Sequence, residues 1–348
     1  MNMLVRFGLE PDALHLHGQS ERERLALHRR LLDALSPIGI LVHQGATFGE
    51  SDISQAISAL PIQLRKRWQV LVTRLRRTPG PAHWPGLSSI NRAADLGSLR
   101  SLLDLALLEQ ARAESLGLPA EELSFRPEDG AEIAPLVVAD QATAVRSALH
   151  LAQAEIAAGT KVTALWDERF SRLAATSRTI VVVDSYAVQN LLCEGGHTRS
   201  GLHRLMVELD GCGGKPRKLT VYSSCKTTPN YAAQPSPDAD ACRDALERVS
   251  VGLRRGGLHQ VELYLLPEKD FSKIKHDRCL RFDKTICAIG TGLEVLTGRE
   301  VPRIATFSLR EETDGSRGVE RSLQAGALRP APTVFKPGER RSAQQLQR

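Results

Sequence analysis

Residues 273–296 read KIKHDRCLRFDKTICAIGTGLEVL, and the types and spacing of four side chains in this stretch suit chemistry at phosphorus. A phosphodiester site needs a group to attack or protonate, cations to hold the nonbridging oxygens, and an acid to orient the imidazole. His276, Arg278 and Asp283 supply those three types. In an extended segment positions 276 and 278 point to the same face, so one imidazole and one guanidinium can grip the same phosphate. Gly290 and Thr291 follow Asp283 after six intervening residues, bringing a hydroxyl and main-chain amides at the start of a short helix. Lys275 adds a cation at the entrance of the segment. A plainer reading also stands: His276 and Asp283 pair across a hairpin while Arg278 faces water.

Three further residues are candidates. Asp184 ends the run IVVVD, and the carboxyl ends of strands in open α/β sheets are where ligands gather, although an Asp there also caps a following turn. His197 and Arg199 repeat the H-x-R spacing, but the position matching the aspartate is Arg204, so a second half-site within the chain is incomplete. His203 lies on a predicted helix as a packing or surface residue. Cys193, His197, Cys212 and Cys225 fit no compact zinc spacing. No metal site and no cofactor is expected. With no C-x-x-C pair in a chain of this size, the six cysteines are read as reduced thiols.

The elements that must position these residues form two blocks. Residues 1–160 read as a mostly helical domain. Ser20 and Glu23 make a capping box before a leucine stripe that SPIG ends, ILVH suits a short strand, and Pro61 breaks one helix and starts another. That second helix carries Arg65, Lys66, Arg67, Arg74, Arg76 and Arg77 beside Leu64, Trp68, Leu71 and Val72, either a solvated face or a contact for phosphates. The leucine- and alanine-rich stretch 95–116 is a predicted helix, EIAPLVVAD a strand, and 141–158 a further helix. Beyond a boundary at 158–175 the pattern changes. TIVVVDSYAV, KLTVYSS, HQVELYLL, TICAIG and RIATFSL read as strands alternating with helices, which predicts an α/β fold with helices packed on a sheet. Residues 311–348 have little to bury and read as a flexible, basic tail.

At 348 residues, 42% hydrophobic and 25% charged, the chain has an ordinary globular composition. No stretch approaches the ~18 apolar residues of a membrane span and no secretory signal is visible, so the expected location is the cytoplasm. The net charge of +6 favours polyanionic partners, nucleic acid foremost and an anionic lipid surface as the alternative.

The spacing His276, Arg278, Asp283, Gly290–Thr291 resembles the half-site of the phospholipase D superfamily, H-x-K-x-x-x-x-D followed by G-S or G-T, with arginine in place of lysine. HDRCLRFDKTICAIGTGLEVL, with TIVVVDSYAVQNLL, SGLHRLMVEL and LTVYSS upstream, is similar to the phospholipase D-like domain found at the C-terminus of MIT-domain trafficking proteins and in its bacterial relatives. The resemblance covers about residues 175–310 and implies, over a domain spanning 170–310, a phospholipase D-like α/β sandwich with a mixed sheet. In active members of the superfamily the histidine attacks phosphorus and two half-sites meet, which here implies a symmetric homodimer joining two copies of His276. Bacterial relatives occur in defence gene clusters. Two functions therefore stay open: a metal-independent nuclease or phosphodiesterase acting in defence against foreign DNA, and a non-catalytic module that binds phosphate on nucleic acid or lipid headgroups while residues 1–160 recruit a protein partner.

Overall fold

The computed structural model describes residues 2–82, 84–92, 95, 97, 99–128, 130–194, 199–213, 215–224, 239–268, 271–272, 278–328 and 331–339. The chain is α/β and divides into two units, Met1–Ala152 and Gln153–Arg348.

The first unit is built on five parallel strands, β1 (Val5–Leu9), β2 (Gly39–His43), β3 (Arg76–Pro79), β4 (Leu105–Leu108) and β5 (Glu132–Pro135), in the order β3-β2-β1-β4-β5. Every residue of β2, β4 and β5 is buried, as expected where helices shield a parallel sheet. The expectation of a mostly helical first domain is thus corrected. LALL was read as helix because a four-residue apolar run carries no period that separates a buried strand from a buried helix. Arg76 and Arg77 read as the end of the basic helix and Thr78 and Pro79 as the start of a turn-rich connector, because an edge strand, half exposed, needs no apolar run.

The helices are α1 (Glu21–Ile38), α2 (Asp52–Ala59), α3 (Ile62–Arg74), α4 (Gln110–Ser115) and α5 (Thr143–Leu151). The capping box forms as expected: the Ser20 hydroxyl accepts from the Glu23 amide and the Glu23 carboxylate accepts from the Ser20 amide. Pro61 stands immediately before α3, where its missing N–H costs nothing. Glu132, buried at the start of β5, accepts from the first amides of α5, Thr143 N at 2.7 Å and Ala144 N at 2.8 Å.

Inside this unit Trp68 of α3 donates from Nε1 to Nδ1 of His28 on α1 at 3.1 Å, and His28 Nε2 donates to the Leu14 carbonyl at 3.1 Å. Both rings are wholly buried. Burial pulls the His28 imidazole down to about 4 from its ordinary 6.5, with Arg24 adding to the effect and the Leu14 bond opposing it. The depressed folded value means that neutral His28 stabilises the unit fully above pH 6.5, and that this contribution disappears as pH falls from 6.5 towards 4. The loss amounts to about 3 kcal/mol at its end point. Denaturation followed by the emission of Trp68 in a variant lacking Trp84 and Trp166 should show that slope, and His28→Gln, which does not titrate, should flatten it while lowering stability at neutral pH.

The second unit carries seven strands, β6 (Thr179–Val183), β7 (Arg217–Ser224), β8 (Leu258–Leu266), β9 (Cys279–Phe282), β10 (Thr285–Ile289), β11 (Phe307–Glu311) and β12 (Thr333–Phe335), in the order β11-β10-β9-β6-β7-β8-β12. β6, β7 and β8 are parallel at the centre and the flanking pairs are antiparallel, so the sheet is mixed. The helices are α6 (Val162–Leu165) and α7 (Ser171–Thr176), joined by a π-helical turn over Trp166–Phe170, then α8 (Ala187–Leu192), α9 (Gly201–Gly211), α10 (Ala239–Gly252) and α11 (Asp314–Ala325).

The expected flexible tail is corrected through residue 339. α11 buries Leu323 against a cluster that includes Tyr222, Tyr264 and Phe271, and β12 adds to the edge of β8 with Phe335 buried. Arg281 of β9 grips Glu320 of α11 bidentately, at 2.6 and 2.7 Å. Val319 and Ala327 pack against the same cluster, and the ion pair to Glu320 adds a hold that composition does not reveal.

Arg217 at the start of β7 has no solvent exposure. Its guanidinium donates to five carbonyls: Ala174 and Ala175 in the last turn of α7, Cys212 and Gly213 beyond α9, and Gly257 before β8. Next to it the Asp210 carboxylate accepts from the amides of Arg254, Arg255 and Gly256. Replacing Arg217 by Met leaves buried carbonyls without donors. The expected cost is about 3–5 kcal/mol, read by urea denaturation of the second unit, with Arg217→Lys retaining part of the loss because an ammonium has too few donors for all five carbonyls.

Candidate functional site

The pairing of β6 with β9 sets the geometry. Val183 lies opposite Cys279, so Asp184 and Arg278, one residue outside the pair on each strand, become neighbours beyond the carboxyl end of β6. The Arg278 Nε stands 3.7 Å from Asp184 Oδ1, and its guanidinium carbon lies over the Tyr186 ring, 4.9 Å from the centroid, a cation–π contact. The Arg278 side chain is 23% exposed.

Asp184 is buried and ties two loops together. Its Oδ1 accepts from Tyr186 N at 3.0 Å and its Oδ2 from Leu293 N at 2.8 Å. Burial pushes its carboxyl above the ordinary carboxylate range, against the pull of those two amides and of Arg278. The strand–turn–helix segment around Gly290 and Thr291 is brought in by β10, whose last residue donates its amide to the Arg278 carbonyl at 3.1 Å. Gly292 has φ +65°, and a Cβ there would overlap Asp184 Oδ2 and crowd Arg278 Cδ, so both the conformation and the close approach demand glycine. The Thr291 hydroxyl is buried and has no hydrogen-bond partner among the described residues.

Of the expected site, Arg278, Asp184, Gly290 and Thr291 thus come together. The amides expected to bind an anion are partly engaged already: Gly290 N donates to Thr306 O at 3.0 Å and Leu293 N to Asp184. Asp283 does not join the group, which corrects its place in the sequence motif. It sits in the β9–β10 turn at φ +49°, and its carboxylate accepts from Arg178 N and from Thr179 N at 2.9 Å, clasping the start of β6. Five residues of extended chain separate it from Arg278, about 16 Å. Spacing counted along the chain did not show that β9 runs its full length between them. His276, Lys275 and His197 lie outside the described residues. Arg199 is exposed, and its carbonyl accepts from Gly298 N at 3.2 Å.

Three residues that the sequence reading left out of the site stand beside it. Tyr186 is the platform for Arg278. His203 Nδ1 lies 2.9 Å from Glu194 Oε2, and the same carboxylate accepts from Ser200 N at 2.6 Å. Burial raises the Glu194 carboxyl, but the bonds from Ser200 and His203 outweigh it and hold it below its usual range. This pair begins α9, whose Gly201 packs so closely on the Leu293 carbonyl that a side chain would overlap it. The only sequence signals were a tyrosine two places after Asp184 and a glycine following a serine cap.

No protein-family model matches the chain, and no curated protein matches it.

Asp184→Asn tests the arrangement. An amide side chain accepts at one atom only, so one of the two main-chain N–H groups would face another donor. The expected result is a loss of about 1–3 kcal/mol in a denaturation curve.

Proposed function

We propose that the carboxyl end of the second sheet binds a phosphate group on a polyanion, with nucleic acid as the partner. The observation that carries this reading is the Thr291 hydroxyl, buried without a partner among the described residues in the turn beside a guanidinium that Tyr186 holds in place. A buried hydroxyl left unpaired costs about 1–3 kcal/mol, a cost that an acceptor oxygen from a ligand removes. Arg278 meets Asp184 through Nε at ion-pair distance, which leaves the outer edge of the guanidinium to face a phosphate. Carboxyl ends of parallel strands, here β6 and β7, are where ligands of open sheets collect.

Cleavage is a second reading, favoured by the placement of His276 two residues before Arg278 in the sequence. It needs two histidines at one phosphate, which a symmetric dimer would supply, and it assigns Arg278 and Thr291 to the phosphate oxygens. The resemblance to phospholipase D-like proteins supports both readings, and a role in defence against foreign DNA belongs to the second.

Titration of labelled single- and double-stranded DNA, RNA and anionic vesicles separates them. Arg278→Ala should weaken nucleic-acid binding at least about tenfold, and Thr291→Val about threefold, with affinity falling steeply with salt. Unchanged binding in Arg278→Ala overturns the proposal. Cleavage in the presence of chelator that is lost in His276→Ala establishes the second reading, and binding without cleavage leaves the first.

A further inference from the structure

Between α1 and α3 of the first unit lies a groove of about 330 Å³. Its floor is apolar, Leu32 from α1 with Val70 and Leu71 from α3, and its rim carries Arg29, Lys66, Arg67 and Arg74. The single rim carboxylate, Asp33, lies 3.7 Å from Arg29 on the same helix. Val70 is 53% exposed and Ile62, two turns earlier, 57% exposed. Ile62, Lys66, Val70 and Arg74 follow at four-residue spacing and so form one stripe, apolar and cationic in alternation, along the outside of α3. The inner side of the same helix is used by the core through Leu64, Trp68, Leu71 and Val72, so nothing in the packing of the unit requires Val70 or Ile62 to be hydrophobic.

We infer that this groove receives an acidic amphipathic helix of a partner protein. The volume stands at the lower end of the range for pockets that bury an anchor, roughly 300–1,000 Å³, enough for a pair of large aliphatic side chains. A helix laid in a groove presents such anchors at i, i+3, i+4 and i+7, and acidic residues flanking them meet a rim on which Lys66 and Arg67 are exposed while Asp33 is engaged by Arg29. The competing polyanions fit less well. A phosphate backbone is matched by cations alone and gains nothing from an apolar floor. A bilayer surface is flat and cannot enter a concavity between two helices.

The test uses the full chain and a fluorescein-labelled helical peptide of about 18 residues, about five turns, with leucine at the anchor positions and glutamate beside them. A second peptide carries lysine for every glutamate. The acidic peptide should bind saturably and less tightly as salt rises, and the lysine peptide should bind at least about tenfold more weakly. Val70→Asp and the double variant Lys66→Glu/Arg67→Glu should each lower affinity at least about tenfold, whereas Val70→Leu keeps it. All these side chains are exposed, so far-ultraviolet dichroism and the chain's tryptophan emission should not change. Equal binding of the two peptides, or an acidic peptide indifferent to Val70→Asp, overturns the inference. So does failure of the acidic peptide to bind, and if duplex DNA or phosphatidylglycerol vesicles then bind in a manner that Val70→Asp abolishes, the groove serves those partners.

Discussion

Arg217 carries a full charge with no contact to water, and among the described residues its guanidinium meets only main-chain carbonyls. Helix carboxyl ends bear partial negative charge, so α7 and α9 both terminate on the cation. Asp210 gathers three amides of the loop before β8 and completes the same knot from the opposite sign. The consequences reach the far end of α9. That helix is fixed at its last turn by Arg217, and its first turn lies against the Leu293 carbonyl, so the turn bearing Thr291 and Gly292 rests on an element anchored about 16 Å away. α7 leads directly into β6, and Asp283 holds the start of that strand. Both ends of β6 are therefore fixed before Asp184 is reached.

Several carboxylates among the described residues serve the main chain. Glu132 caps α5, Asp210 collects a loop, Asp283 clasps a strand and Asp184 joins two turns. Asp184 does this beside Arg278 at the carboxyl end of β6, and Glu132 beside the half-exposed Arg126 in the first unit. The difference lies in depth and position rather than in residue type, since each of these acids accepts from amides in the same way.

Much of the second unit was legible in its sequence. TIVVV is a β-branched run that suits a strand buried on both faces, KLTVYSS and VELYLL read as strands beside it, and the pairing of β6 with β9 delivers Arg278 to Asp184. In the first unit Ser20, Glu23 and Pro61 marked helix ends through local bonds that need no tertiary partner. What could not be read depends on neighbours distant in the chain. LALL is a strand because β1 and β5 flank it, RRTP because β2 offers an edge, and Asp283 leaves the motif because the hairpin turns at that residue. Tyr186 joins the site for the same reason: nothing local shows that a guanidinium far along the chain will stack on it.

The way β12 closes the second sheet bears on how the chain is made. β8 is a nine-residue strand whose last six residues are all buried, and the neighbour that covers its outer edge, Thr333–Phe335, is synthesised long after β6, β7 and β8 are available to pair. Until then a long apolar edge is open to any other extended chain, the hazard that natural sheets blunt with short or charged borders. The three residues of β12, with α11 before them, are that border. Here the element that protects that edge is made late, so the outer edge of β8 stays uncovered until Thr333–Phe335 have been synthesised.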